Sequence, residues 1–221
     1  MLKVLGIETS FGPGRLALLE GENPAGKGKL PPGVRHSSGI VPLLGNLLEE
    51  AGWRPSDLGL IAIGLGPGSF TGLRIAAALG QGLAFALEIP LIGVGSFAAM
   101  ASSLTPSADE ICVLSDARRS RAYAARYRCL PQGLKEISPP SLVPFAELVD
   151  FVKASTAFSP FPGELAGRED LVVRPVAPSP LEVARLAARR LRSGDPGEPG
   201  ALRPIYLGGH YRVQGGGRGA A

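Results

Sequence analysis

The chain has 221 residues, of which 45% are hydrophobic and 19% are charged. This composition excludes a disordered chain, and the length suffices for one large or two small domains with a sizeable core. The formal net charge of +4 is compatible with a position near RNA, but it is too small to predict one.

Several features of the sequence bear on the cell compartment. The two cysteines, Cys112 and Cys129, match no metal-binding or redox spacing, so we expect free thiols in a reducing environment. The N-terminus enters a predicted strand directly, and its apolar stretch is too short for a signal peptide. Glycines and charges interrupt every apolar run before it could span a bilayer comfortably. We therefore expect a cytoplasmic chain without a membrane segment.

The chain is predicted to begin with two antiparallel strands. Residues 2–7 and 15–20 are apolar, and the Gly- and Pro-rich link at 10–14 between them is typical of a hairpin turn. Residues 21–32 are rich in Gly, Pro and Lys and are predicted to form an exposed loop. A poor edge strand is predicted around residues 30–35.

A helix is predicted over residues 37–51. Apolar residues recur there at helical spacing, and either Ser37 or Ser38 could act as its N-cap. Gly52 stands where a glycine commonly follows the last turn of a helix. Pro42 lies close enough to the start of the helix to be tolerated.

The central stretch of the chain has the pattern of a βαβ unit. A buried strand at 60–65 precedes a tight Gly-Pro-Gly turn, a long apolar helix at 71–87 and a second buried strand at 91–94. This order of elements requires parallel pairing of the two strands and a right-handed crossover.

The helix at 71–87 carries an unusual stripe of small residues. They recur every four positions and form one ridge almost without side chains: Gly72, Ala76, Gly80 and Ala84. Each interior glycine costs about 1 kcal/mol relative to alanine, so the stripe indicates a close approach of another backbone. A helix that is apolar nearly all round is expected to be covered on all sides, by its own domain or by another chain.

The second half of the chain is predicted to repeat the opening plan. A short helix at 96–103, capped by Ser96, and a polar linker at 104–110 lead to two strands joined by a hairpin. The elements predicted from that hairpin onwards are strands at 111–115 and 121–127, a helix at 147–153, a loop at 155–162, a strand at 171–176, an amphipathic helix at 180–192 and an extended segment at 202–207.

The residues by themselves reveal no catalytic constellation. The loop from Gly66 to Gly72 lacks the Lys of a phosphate-binding P-loop, and a tight turn for helix packing is its more economical explanation. Neither His36 nor His210 has a partner at metal-ligand spacing. The four arginines on one face of the last helix (185, 189, 190 and 192) indicate a solvated surface rather than a nucleic-acid site.

Four motifs together resemble the TsaB (YeaZ) family. They are GIETS at 6–10, HSSGIVPLLGNLLEEAG at 36–52, GPGSFTGLRIA at 66–76 and DARRSRAYAARY at 116–127. They follow the family's order and separations, and the third is the most specific. The resemblance is good over residues 1–127 and thin beyond.

The resemblance implies an α/β fold of the actin/Hsp70/sugar-kinase (ASKHA) type, with two RNase H-like lobes and mixed sheets. We expect an N-terminal lobe at 1–106, a smaller lobe at 107–209 and a flexible tail at 210–221. Family members are Gcp-like proteins, related to M22 peptidases, and serve as accessory subunits in bacterial synthesis of N6-threonylcarbamoyladenosine (t6A) at position 37 of tRNA.

The resemblance also implies that catalysis belongs to a relative, TsaD, with which the family forms a heterodimer. The ATPase TsaE joins through that pair, and tRNA is reached indirectly. In TsaD-type relatives a His-x-x-x-His metal pair follows the strand equivalent to 91–94, whereas here residues 95–100 offer no such ligand. We expect no metal and no cofactor in the isolated chain.

The resemblance places the pairing surface on the helices 37–51 and 71–87. We expect the small-residue ridge to lie in that surface, and a homodimer to form through the same helices when the partner is absent. A bulky substitution at Ala76 or Gly80 should then block pairing without unfolding the chain. The full set of expected partner contacts is Val41, Leu44, Leu48, Gly72, Ala76, Leu79, Gly80, Leu83 and Ala84.

Residues at strand ends and turns are weaker candidates for contacts with a nucleotide or another anion. They are Glu8, Thr9, Ser10, Gly68, Ser69, Arg74, Asp116 and Arg118. Two other functions stay open at this point: a glycoprotease-like metal enzyme of the same superfamily, and a small-molecule kinase of the same fold.

Overall fold

The computed structural model describes residues 1–104, 109–131, 133–165, 171–197 and 202–207. The predicted tail at 210–221 and His210 therefore lie outside the described residues. The strands are β1 (Lys3–Glu8), β2 (Arg15–Glu20), β3 (Asn23–Lys29), β4 (Leu60–Gly64), β5 (Leu91–Val94), β6 (Glu110–Asp116), β7 (Arg121–Leu130), β8 (Gly133–Pro144), β9 (Thr156–Ser159) and β10 (Val173–Pro175). The helices are α1 (His36–Glu50), α2 (Phe70–Leu87), α3 (Ser96–Ser102), α4 (Leu148–Val152) and α5 (Pro180–Arg192).

Two mixed five-stranded sheets share one plan. Their strand orders are β3-β2-β1-β4-β5 and β10-β9-β6-β7-β8. In the first sheet, β1 and β2 form an antiparallel hairpin, and β4 pairs parallel to β1. In the second sheet, β6 and β7 form the equivalent hairpin, and β9 pairs parallel to β6. The predicted repeat of the opening architecture is thereby confirmed, as is the α/β fold with two RNase H-like lobes.

Helices cover both faces of the first sheet. Helices α1 and α2 pack on the face that presents Leu5, Leu16 and Ile61, and α5 packs on the face that presents Val4 and Leu60. The two faces alternate along each strand because successive side chains point to opposite sides of a sheet.

The last helix returns from the second lobe to the first. Helix α5 lies so close to β1 that a Cβ added to Gly6 would stand 2.1 Å from the Pro180 carbonyl oxygen. The extended segment 202–207 follows it, with Ile205 N–H donating to Leu65 O at 2.7 Å. Assigning all of 107–209 to the second lobe is therefore wrong for α5 and the segment after it.

Several local predictions were also wrong. The edge strand expected at 30–35 is instead β3, which pairs with β2 despite its Gly and Lys content. Strand β8 was missed, and β9 occupies a stretch expected to be loop. Neither Ser37 nor Ser38 is an N-cap, since Arg35 holds that position in α1 without a side-chain cap.

The small-residue ridge faces the chain's own sheet, so its assignment to the partner surface is wrong. Ala76 is fully buried, and a Cβ on Gly80 would stand 2.7 Å from Ile63 Cγ2. At Gly72 a Cβ would meet the Thr9 carbonyl oxygen at 2.0 Å. Leucine at position 76 or 80 is therefore expected to disrupt folding itself.

Two alanine substitutions on α2 should separate its inner and outer faces. Gly72→Ala should destabilise the fold by about 3 kcal/mol or more, because the new methyl group overlaps the backbone of β1. Gly82→Ala should stabilise it by roughly 0.5–1 kcal/mol, since nothing lies within 4 Å of that Cβ position. Urea unfolding measures both changes, and equal effects at the two positions would contradict the assigned orientation of the helix.

Candidate functional site: an open helix face and a closed cleft

The outer side of α2 is apolar and uncovered. Only five of its residues are buried, all on the side of the ridge. Its exposed residues include Ala78, Gly82 and Phe85, and the Phe85 side chain is 86% exposed. A large aromatic side chain left this open, among small apolar neighbours, is typical of an interaction surface.

The neighbouring helix α1 also has exposed apolar and small residues on its outer side. Val41 is 58% exposed, and Gly45, one turn further on, has nothing within 4 Å of its Cβ position. Gly82 on α2 is equally open. Each of these glycines lowers helix stability, and neither makes room for any part of the chain itself. We name the exposed set Val41, Gly45, Ala78, Gly82 and Phe85 the outer face.

The structure divides the expected partner contacts into three groups. Val41 is exposed, and Leu79 and Leu83 are half-buried at the edge of the core. The other predicted contacts are buried inside the monomer, so the expectation is wrong for them: Leu44, Leu48, Gly72, Ala76, Gly80 and Ala84.

Sequence reasoning missed four members of the outer face. A second stripe of small residues, at 78, 82 and 86, does exist in the sequence, two positions out of step with the ridge. A period of four residues identifies both stripes, but it does not say which one faces the sheet.

Helix α2 is also, by length and composition alone, apolar enough to cross a membrane. Its 18 residues have a mean hydropathy of 1.4, and no other helix of the described residues is both long and apolar enough. As expected from the sequence, glycines and Arg74 interrupt this apolar run. Its inner side packs on the sheet, as in a core helix, and its outer side accounts for the remaining apolar surface.

The end of β1, where a nucleotide was considered, is closed by the chain itself. Glu8, Thr9 and Ser10 are each at most 1% exposed. Thr9 Oγ1 donates to Gly72 O at 2.7 Å, and Ser10 N–H donates to Glu8 Oε1 at 2.8 Å. Ser69 N–H donates to Ser10 O at 2.7 Å. These three strand-end residues are therefore not available to a nucleotide in this conformation.

The loop before α2 leaves little space at this point. A Cβ on Gly68 would stand 2.4 Å from Ser10 O, and the loop is fastened on its other side to Ser96. Ser96 Oγ accepts from Gly66 N–H at 3.1 Å, so Ser96 binds the loop and does not cap α3. Glu8 Oε2 is the one buried side-chain oxygen without a hydrogen-bond partner among the described residues.

Three aromatic rings close the junction of the lobes. Phe11, in the turn after β1, stacks on Phe97 of α3 with ring centroids 5.7 Å apart. Phe161 of the second lobe meets Phe11 edge-on at 6.5 Å. Phe11 and Phe97 belong to the same apolar cluster as Val113 and Tyr127 of the second sheet. The lobes thus share a continuous apolar core beside the end of β1.

The remaining anion candidates are engaged locally. Asp116 accepts from Arg118 N–H at 2.7 Å and forms an ion pair with its guanidinium at 3.2 Å. Ser69 caps α2 by accepting from Gly72 N–H, and the Arg74 guanidinium lies 4.0 Å from the centre of the Phe70 ring. A nucleotide or anion at Ser69, Arg74 or Arg118 stays a prediction.

Burial shifts the pKa values of three titratable side chains, Arg15, Cys112 and Tyr127. Burial lowers the pKa of the Arg15 guanidinium, although the charge of Glu8 partly offsets this effect. Burial raises the pKa of the Cys112 thiol to about 12, and it also raises the pKa of the Tyr127 phenol. Both cysteines are free thiols, as expected, and Cys112 is an unreactive thiol in the core.

The described residues offer little to a metal ion. Within those ranges, no three His, Cys, Asp or Glu side chains converge.

Most arginines on the exposed face of α5 form ion pairs: Arg185 with Glu182, Arg190 with Asp195 and Arg192 with Glu22. This face is therefore a paired, solvated surface, as the sequence indicated.

The comparisons with known proteins agree with this architecture. Residues 31–167 match the model of the family described as TsaD, tRNA N6-adenosine threonylcarbamoyltransferase. The Escherichia coli protein named "tRNA threonylcarbamoyladenosine biosynthesis protein TsaB" is 28% identical over 78% of this chain and 80% of its own. The Bacillus subtilis protein of the same name is 32% identical over 53% of this chain and 52% of its own.

A solved structure from Pseudomonas aeruginosa, YeaZ, superposes over almost the whole chain. It is 27% identical, with a TM-score of 0.78 over 94% of this chain and all of that one. Fold and site together define a two-lobed Gcp-like protein of the ASKHA class. Within that class, the chain belongs to the TsaB (YeaZ) family.

A substitution at the closed strand end tests how it is held. Ser10→Ala removes one of the two donors to the buried Glu8 carboxylate, and we expect a loss of about 2 kcal/mol in the free energy of unfolding. Urea unfolding measures the change. Ser193→Ala, which removes a hydroxyl from the exposed end of α5, is the control and should have little effect.

Proposed function

We propose that this chain is a non-catalytic, cytoplasmic subunit of the machinery that makes t6A in tRNA, and that it pairs through its outer face with a catalytic subunit of the TsaD type. The curated relatives carry names in t6A biosynthesis. ATP and metal then belong to partner subunits, a TsaE-type ATPase joins through the pair, and this chain reaches tRNA through the complex.

The observation that carries the proposal is the contrast between the two sites. Phe11, Phe97 and Phe161 pack together beside the end of β1, and Glu8, Thr9 and Ser10 are buried there, so this strand end is closed to a substrate. The outer face, in contrast, has exposed apolar side chains and two glycines that nothing in the chain requires. The metal enzyme and the small-molecule kinase considered above both need an open, polar cleft, and neither is favoured.

The glycines explain how a partner could approach. With Gly45 and Gly82 open, two foreign helices can pack closely against α1 and α2, and Phe85 can enter a pocket between them. When the partner is absent, a second copy of this chain offers the same chemistry, so self-association through this face is expected.

The test of the proposed function is a reconstitution of t6A formation. Purified catalytic subunit, ATPase, tRNA, threonine, bicarbonate and ATP are combined with and without this chain, and the modified nucleoside is quantified. We expect product only when the chain is present. Equal product in its absence would refute the proposal.

Gly82→Leu is the variant that tests the docking face. Its side chain enters open space in the monomer, so the fold should be retained, but it should weaken pairing by about 2 kcal/mol or more, roughly thirtyfold. Affinity for the catalytic subunit is measured by titration calorimetry.

Gly163→Leu is the matched control for that experiment. Gly163 lies in the second lobe with nothing within 4 Å of its Cβ position. The control should pair as the unmodified chain does. If Gly82→Leu also paired normally, the docking face would lie elsewhere.

A further inference from the structure

A cavity lined by basic residues lies on the side of the first sheet opposite the outer face. Its volume is about 350 Å³, and it lies between the β2–β3 hairpin and the start of α5. Arg15, Lys27 and Lys29 line it together with Ser179 and Leu181. Its described lining contains no acidic residue.

The strand register forces the three cations together. Arg15 pairs directly with Lys29, and Ala17 pairs with Lys27. Because side chains alternate along a strand, Lys27 and Lys29 share the face on which Arg15 lies. Like charges directly opposite each other on a sheet are destabilising, so this arrangement weakens the free chain.

Glu8, opposite Arg15 on β1, is the carboxylate whose charge acts on Arg15, whereas the two lysines have no ion pair with a carboxylate among the described residues. Arg15 donates Nη1 to the carbonyl oxygens of Phe11 and Pro13, which fixes its guanidinium without neutralising it. Among the described residues, Lys27 and Lys29 take part in no ion pair or side-chain hydrogen bond. Glu182, in the first turn of α5, is already held by Arg185 Nη1 at 2.6 Å and by Ser102 Oγ at 3.0 Å.

Protection of a free sheet edge does not account for this arrangement. Strand β3 is an edge strand, and lysines there discourage pairing with other chains. That role requires charge at the edge, but it does not require two lysines on the face that already holds Arg15. Two lysines without a carboxylate partner in the lining of one cavity are better explained by binding of an anionic ligand.

We propose that this cavity and its two lysines bind the phosphodiester backbone of tRNA, which gives this chain a direct contact with RNA. The inference rests on the proposed function, because the relatives' names identify tRNA as the molecule modified. Lysine ammonium groups bind phosphate as point charges, which suits contacts without sequence preference. An acidic protein surface offers related chemistry, and the test below separates the two.

The experiment compares two double variants that change the net charge equally. Lys27→Gln with Lys29→Gln alters the cavity, and Lys135→Gln with Lys153→Gln alters exposed lysines of the second lobe. Binding of the full chain to a tRNA transcript is measured from 50 to 200 mM salt. We expect the slope of log K against log salt concentration to fall by about two for the first variant, one per lysine, and to stay unchanged for the second.

Three results would overturn the inference. They are the absence of tRNA binding by the unmodified chain, equal losses in the two variants, and a first variant that loses the catalytic subunit while keeping tRNA. Lys27→Arg with Lys29→Arg should restore binding. Urea unfolding verifies the fold, which should be no less stable in the first variant because like-charge repulsion is removed.

The reconstitution separates this inference from the proposed function. If the unmodified chain supports t6A formation and the first variant has an unchanged KM for tRNA, only the cavity assignment fails. If the chain binds tRNA through the two lysines but does not support t6A formation, only the proposed function fails. If the first variant has a raised KM for tRNA and an unchanged kcat, both the cavity assignment and the proposed function are supported.

Discussion

The close contact between α2 and the first sheet is the constraint on which the rest of the structure depends. Gly72 and Gly80 bring the helix backbone so near the strands that a single added methyl group would overlap Thr9 or Ile63. Thr9 Oγ1 then donates directly to the Gly72 carbonyl oxygen, which closes the end of β1. The same contact turns the opposite side of α2, with Phe85, away from the core.

The end of β1 and the aromatic junction beside it are closed by the chain's own residues. Enzymes with two such lobes need polar groups at the strand ends and space between the lobes for a substrate. Here Ser10 N–H donates to Glu8 Oε1 and Thr9 Oγ1 donates to Gly72 O, while Glu8 Oε2 keeps no partner among the described residues, and Phe11 joins the apolar core of the second lobe. The first sheet has two distinct surfaces, one on each side. The outer face, on the side of α1 and α2, consists of apolar and mostly small residues. The opposite side of the sheet carries the basic cavity at the edge formed by β3.

Much of the fold could be predicted because its signals are local. The apolar runs of β1, β2, β4 and β5 and the amphipathic period of α5 fix those elements within a few residues. Strand β8 was missed because its three prolines and polar residues give no alternating pattern, and it forms only through its partner β7. The return of α5 to the first lobe was missed for the same kind of reason, since nothing near Pro180 in the sequence indicates Gly6 as its neighbour.

The sequence by itself determined the family, the repeated strand plan and the importance of α2, because each depends on residue types at short, fixed spacings. Only the tertiary structure decided which side of α2 is free, because two stripes of small residues have the same period and packing on the sheet selects one of them. It alone also brought Arg15, Lys27 and Lys29 to one cavity, since strand register, and not proximity in the chain, sets which charges meet.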